Sequence, residues 1–226
     1  MRFFYFILFF IIFSASVSAS WQTYQNDLRN TGASNATGYF PLKTANFSID
    51  LGMSYQPLVD DLDSDGKNEI VIFSNNSLII LNPQLEILKQ IKVGTVLGQP
   101  TLFNFDNDNF IEIIFNSRQK NNPNDYLFVY QYNNSELKQE FNITLSNDAN
   151  FSGIKCLNLN GTNSCVFKDK INYVHVVNLD SRTDNAYPVP SLSNEDHDTV
   201  PAIGDLNNDG NLDAVFWIKS SLSPFL

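Results

Sequence analysis

Residues 59–73 read V-D-D-L-D-S-D-G-K-N-E-I-V-I-F, with five acidic side chains in the first eleven positions. Carboxylates that close repel one another unless a positive charge sits among them, so the spacing predicts a bound cation. Counting from Asp61, oxygen donors recur at loop positions 1, 3, 5 and 9 as Asp61, Asp63, Asp65 and Glu69, and the Lys67 carbonyl is available at position 7. Alternate residues can point inward while a tight turn at Gly66 wraps the chain round a hard ion, as a calcium site of six or seven oxygens requires.

The same register occurs twice more. One copy supplies Asn104, Asp106, Asp108 and Glu112 with the Phe110 carbonyl, and the other supplies Asp205, Asn207, Asp209 and Asp213 with the Asn211 carbonyl. The competing reading is three solvated Asp/Asn turns that hold no ion. An EF-hand is excluded, because it needs a bidentate carboxylate at position 12 between helices, where this chain has Ile72, Phe115 or Phe216 between apolar strands. Up to three structural Ca2+ sites are expected. The first is expected to be the tightest, since the other two replace one acid with asparagine.

These loops must be positioned by strands. The stretches 57–73, 100–115 and 201–216 align as repeats, and a degenerate copy near Asn158 divides the interval from Asn104 to Asp205 into steps of 54 and 47 residues. Repeats of that size, each a run of short strands, point to β-propeller blades. Within the first repeat, Ser54–Val59, Glu69–Phe73, Ser77–Leu81 and Leu85–Val93 read as four strands. The second gives Pro100–Phe103, Glu112–Phe115, Tyr126–Tyr132 and Leu137–Ile143. The third gives Ile154–Leu157, Cys165–Phe167, Asn172–Asn178 and Ala186–Val189. The expected class is all-β, with blades over about 52–97, 98–149, 150–197 and an incomplete 198–226.

Composition sets the surroundings. The 226 residues are 43% hydrophobic, enough for a real core, and the net charge of −10 with no basic stripe argues against a nucleic-acid partner. Residues 1–19 carry Arg2, an apolar run from Phe3 to Phe13 and small residues ending at Ala19, which reads as a signal peptide. An uncleaved anchor is the alternative, but the run is short for a membrane span. With the signal removed, no membrane insertion is expected, and the protein is expected to be secreted or surface-displayed, where disulfides persist and calcium is plentiful. Seven sequons, at Asn35, Asn46, Asn75, Asn133, Asn142, Asn150 and Asn160, permit glycosylation.

On D-L-D-S-D-G-K-N-E, N-F-D-N-D-N-F-I-E and D-L-N-N-D-G-N-L-D, each between short apolar strands, the chain resembles the FG-GAP and VCBS repeats of integrin-α-like β-propellers. The resemblance covers roughly residues 21–218, and the lead-in W-Q-T-Y-Q-N-D-L-R-N-T-G at 21–32 looks like the segment that precedes such blades in microbial surface proteins. It implies that each loop joins the first two strands of a blade and holds calcium. In the third repeat the acids are gone, and the remnant is bracketed by the only two cysteines. Aligning Leu159 with Leu62 sets Cys156 at the position of Val59, and aligning the far strands sets Cys165 at that of Ile70. A disulfide is expected there, with two buried free thiols as the alternative.

Catalytic signals are thin. His197 lies in a polar run, His175 alternates with apolar neighbours as a strand residue does, and no Ser-His-Asp order or phosphate loop occurs. The acidic loop is repeated three times, whereas a glycosidase needs its carboxylate pair once. Three and a half blades leave closure open: either residues 39–51 within the 20–51 lead-in complete a fourth blade, or the chain is part of a larger propeller, the favoured reading. The expected function is a non-enzymatic binding or adhesion module for a protein or glycan ligand. A lyase-like polysaccharide-degrading enzyme and a structural cell-envelope component are the alternatives.

Overall fold

The computed structural model describes residues 49–52, 55–120, 122, 124–146, 152–159, 161–169, 171, 173–189, 200–210 and 212–216. The signal peptide, most of the 20–51 lead-in, Asn211, His197 and the sequons at Asn35, Asn46, Asn150 and Asn160 lie outside them. Fifteen strands and no helix are present among the described residues. Consequently no described helix is long and apolar enough to cross a membrane.

Each repeat folds as an up-and-down meander. The first sheet is β1 (Leu58–Asp60), β2 (Glu69–Ser74), β3 (Ser77–Leu81) and β4 (Ile87–Lys92), in that order and antiparallel throughout. The second holds β5 (Thr95–Val96), β6 (Thr101–Phe103), β7 (Glu112–Arg118), β8 (Asp125–Asn133) and β9 (Glu136–Thr144), with β5 and β6 both pairing with β7. The third is β10 (Lys155–Leu159), β11 (Thr162–Lys168), β12 (Tyr173–Asn178) and β13 (Thr183–Pro188). The last pair is β14 (Ala202–Gly204) and β15 (Asp213–Val215). Thr95–Val96 departs from the expected grouping: the chain turns at Gly94, so these residues hydrogen-bond to the second sheet and not to the first.

Turn chemistry explains the hairpins. Asn75-Asn76 and Asn134-Ser135 each hold two consecutive positive φ values (47° and 60°, 48° and 63°), the conformation of a two-residue type I′ turn, which asparagine tolerates.

The sheets pack face to face in sequence order. Ile113 and Phe115 of β7 join Val71, Phe73, Leu78 and Ile80 of the first sheet in one core, while Ile114, with Leu127 and Val129 of β8, joins Ile154, Cys165 and Phe167 of the third. A third cluster ties Leu157 and Val166 to Ile203 of β14. Strand period 2 sends alternate residues to opposite neighbours, which is why the middle strands read as continuous apolar runs. The outer strand β4 is largely exposed, and among the described residues the sheets do not close into a ring. Residues 49–52 cover the other face of the first sheet, with Leu51 against Ile72, Ile79 and Leu81.

Cys156 and Cys165 form a disulfide, and they are direct partners across β10 and β11. Their register matches that of Val59 and Ile70 across β1 and β2. Replacing them by Val and Ile, as in the first sheet, keeps an apolar pair but removes the crosslink, and should cost about 2.7 kcal/mol by loop-closure entropy. Urea unfolding checks this; an unchanged midpoint would show that the bond adds nothing.

Candidate metal centre

Three of the four β-to-β junctions that open a sheet carry the acidic loop: β1–β2, β6–β7 and β14–β15. In the first loop Asp61 receives the N–H groups of Asp65 (3.1 Å) and Gly66 (2.9 Å), and Glu69 receives that of Leu62 (3.0 Å). The third repeats this pattern: Asp205 receives Asp209 (3.2 Å) and Gly210 (3.0 Å), and Asp213 receives Leu206 (2.9 Å). Loop position 4 has positive φ in all three, at Ser64, Asn107 and Asn208 (58°, 59°, 58°). Gly66 and Gly210 add a second left-handed residue at φ 84° and 86°, where a side chain would be strained.

The second loop lacks that glycine and is held otherwise. Asn104 receives the Asn107 N–H (2.8 Å) and donates Nδ2 to the Asp108 carbonyl (2.7 Å), while Asp108 receives the Phe110 N–H (2.6 Å) and Gln131 Nε2 (3.0 Å). Glu112 receives the Phe105 N–H at 3.1 Å, as Glu69 receives Leu62.

Two of the loops bring acids together. One carboxylate oxygen from each of Asp61, Asp63 and Asp65 lie within 4.8 Å of one another, as do oxygens of Asp106, Asp108 and Glu112. Asp205, Asp209 and Asp213 do not converge that closely, and Glu69 stands outside the first group. Asp63 Oδ1 and Glu112 Oε1 are buried with no hydrogen-bond partner. Burial, reinforced by Asp65, raises the Asp63 carboxyl above its usual range. Burial pushes Glu69 up to about 7 and Glu112 up to about 8, each only partly offset by its backbone N–H and pushed further by neighbouring acids. A cation among these groups would relieve the repulsion and engage the two orphaned oxygens, so the donor set fits a hard divalent ion. Lys67 already supplies a positive charge to Asp65, at 3.0 Å on the exposed side of the loop.

The loops are neighbours. The Ile111 N–H donates to the Leu62 carbonyl (3.2 Å), Ser64 Oγ donates to the Asn109 carbonyl, and Asn163 Nδ2 at the degenerate junction donates to the Phe105 carbonyl. At that junction Gly161 donates to Asn158 Oδ1 (2.8 Å), and Asn163 donates to the Asp180 carboxylate from both its N–H and its amide.

One arrangement was not anticipated. His175 is fully buried, with Nδ1 at 2.9 Å from Asp184 Oδ1, Nε2 at 3.4 Å from Asp169 Oδ2 and its ring stacked on Phe167. Ser146, at the end of the second sheet, donates its N–H to Asp184 (2.8 Å). Burial alone would lower the imidazole pKa, but the two carboxylates outweigh it and hold the ring above its ordinary value. With a carboxylate at each nitrogen, the imidazolium is the satisfied species and the cluster is a structural tie between sheets. The strand pattern of Y-V-H-V-V places His175 on β12 but carries no signal of Asp169 or Asp184.

The class defined by these observations is an all-β protein of successive antiparallel sheets, two of them four-stranded among the described residues, with acidic loops at the β1–β2, β6–β7 and β14–β15 junctions. No family model and no curated protein matches the chain. Among solved structures it is similar to the crystal structure of BBS1N in complex with ARL6DN, soaked with lead, at 12% identity and a TM-score of 0.45. That likeness covers 59% of this chain and less than half, 43%, of the other.

Proposed function

We propose that the chain is a calcium-stabilised arc of a β-propeller, its sheets serving as blades, that acts as a secreted or surface-displayed, non-enzymatic binding or adhesion module. The observation that carries this reading is the recurrence of one acidic loop at equivalent strand junctions, with buried unpartnered oxygens at Asp63 and Glu112. Asp61, Asp63, Asp65, Glu69 and the Lys67 carbonyl would hold the first ion. Asn104, Asp106, Asp108, Glu112 and the Phe110 carbonyl would hold the second, and the loop from Asp205 to Asp213 a weaker third. Calcium supplies charge compensation there, and fixes the loop between two strands. The disulfide suits an oxidising compartment.

Calorimetric titration with calcium tests the metal half. Up to three sites are expected, and Asp63→Ala with Asp65→Ala should remove the tightest; a wild-type chain that takes up no calcium overturns it. A glycan and protein array read for both retention and turnover tests the other half. Retention without product is expected, and product release would overturn the non-enzymatic assignment.

A further inference from the structure

At the end of the sheets opposite the acidic loops, the β2–β3 turn, the β4–β5 link and the residues from Arg118 to Lys120 with Asn122 line an open cleft of about 680 Å³. Its volume is in the range of small-ligand sites. The residues that line it are polar or small: Asn76, Gly94, Thr95, Arg118, Gln119, Lys120 and Asn122 contribute, and none of them is aromatic or acidic.

Several of these groups are held in place. Gly94 lies so close to the β7 edge that a Cβ would come within 2.4 Å of the Arg118 carbonyl oxygen. Gln119 Nε2 donates to the Val93 carbonyl (2.8 Å), and Asn122 receives the Asn124 N–H (3.0 Å) while donating to the Tyr126 hydroxyl (2.8 Å). The Arg118 guanidinium is clamped by Asp125 through two bonds of 2.7 and 2.8 Å; Asp125 is fully buried, whereas the Arg118 side chain is 38% exposed. Lys120 is exposed beside it, and Lys92 is tied to the Asn75 carbonyl (2.9 Å) at the adjoining turn. Three of the 14 cations of a chain with net charge −10 thus gather at one end, and the nearby Asp125 is already engaged by Arg118.

We propose that this pocket recognises a carboxylate-bearing saccharide, an inference that rests on reading the chain as a binding module. Fixed amides suit sugar hydroxyls, the exposed Lys120 ammonium suits a carboxylate, and the described lining residues hold no aromatic face on which a nucleobase would stack. Lys120 is the residue to test, since its exposed ammonium can change without leaving a buried group unpaired.

The test uses the full secreted chain in calcium on an array of uronate- and sialate-bearing glycans, beside carboxyl-reduced and sulfated counterparts. The expected result is retention of carboxylate glycans, with about a tenfold loss on carboxyl reduction or in Lys120→Ala and little change in Lys120→Arg, the interaction weakening with salt. Unfolding midpoints of both variants should equal the parent's. Absence of acidic-glycan retention overturns the assignment, as do sulfated glycans retained equally well or an Ala variant that binds like the parent. If another ligand is retained regardless of Lys120, the pocket assignment falls and the binding-module reading survives. An empty array overturns the pocket assignment, and the binding-module reading then rests on the protein array.

Discussion

Chelating calcium at about pH 8 should lower the unfolding free energy by roughly 4 kcal/mol relative to millimolar calcium, if each of three sites has a dissociation constant near 0.1 mM. The deficit should shrink as the pH is lowered. Glu69 and Glu112 have folded-state values of about 7 and about 8, well above the ordinary carboxyl value of 4.5. The metal-free fold therefore holds protons that the unfolded chain gives up. The stability this contributes is fully present below about pH 4.5 and is lost as the pH rises to about 8. With calcium bound the carboxylates are compensated, so the loaded protein should not show that decline. Thermal unfolding from pH 5 to 8, in calcium and in chelator, reads both effects. A chelated protein that grows more stable as the pH rises would contradict the buried-carboxylate account.

Phe115→Ala should be the most damaging single substitution in the core, costing about 3–5 kcal/mol. Phe115 is fully buried, with ring centroids 5.0 Å from Phe73, 5.6 Å from Phe128 and 5.7 Å from Tyr130, so it joins the first sheet to the second. Its removal leaves a cavity bounded by two rigid sheets that cannot collapse into it. For a chain of this size the midpoint should fall by on the order of 10 °C. Tyr187→Ala is the control: that residue is 56% exposed, and the change should be within about 0.5 kcal/mol. Equal effects in the two variants would mean that the contact between the first two sheets is not a principal source of stability.

Much of this architecture was legible because its determinants are local. The apolar runs at Glu69–Phe73 and Glu112–Phe115, the asparagine turn at 75–76 and the spacing of the acids all lie within a few residues of what they specify. The Cys156–Cys165 pairing was accessible for the same reason: one repeat gave the register of another. The His175 cluster was hidden, since Asp169, Asp184 and Ser146 reach it only through strand pairing and the packing of two sheets. So was the pocket at Lys120, whose walls come from three separate connections. The difference between the loops was also obscured: the sequence shows asparagine for aspartate, but not that Gln131 approaches Asp108 from β8.

The meander order of the strands also bears on how the protein is made. Every sheet is assembled from consecutive strands, so each can form as soon as its own segment has emerged from the ribosome, without waiting for a distant partner. Each finished sheet then offers an apolar face on which the next can form, which favours vectorial assembly from the amino-terminal side. The thiols at 156 and 165 lie on adjacent strands nine residues apart, so the hairpin that joins them already brings them into reach. Oxidative capture of that hairpin could therefore hold the third sheet in register during synthesis, before Ile203 arrives to cover its outer face.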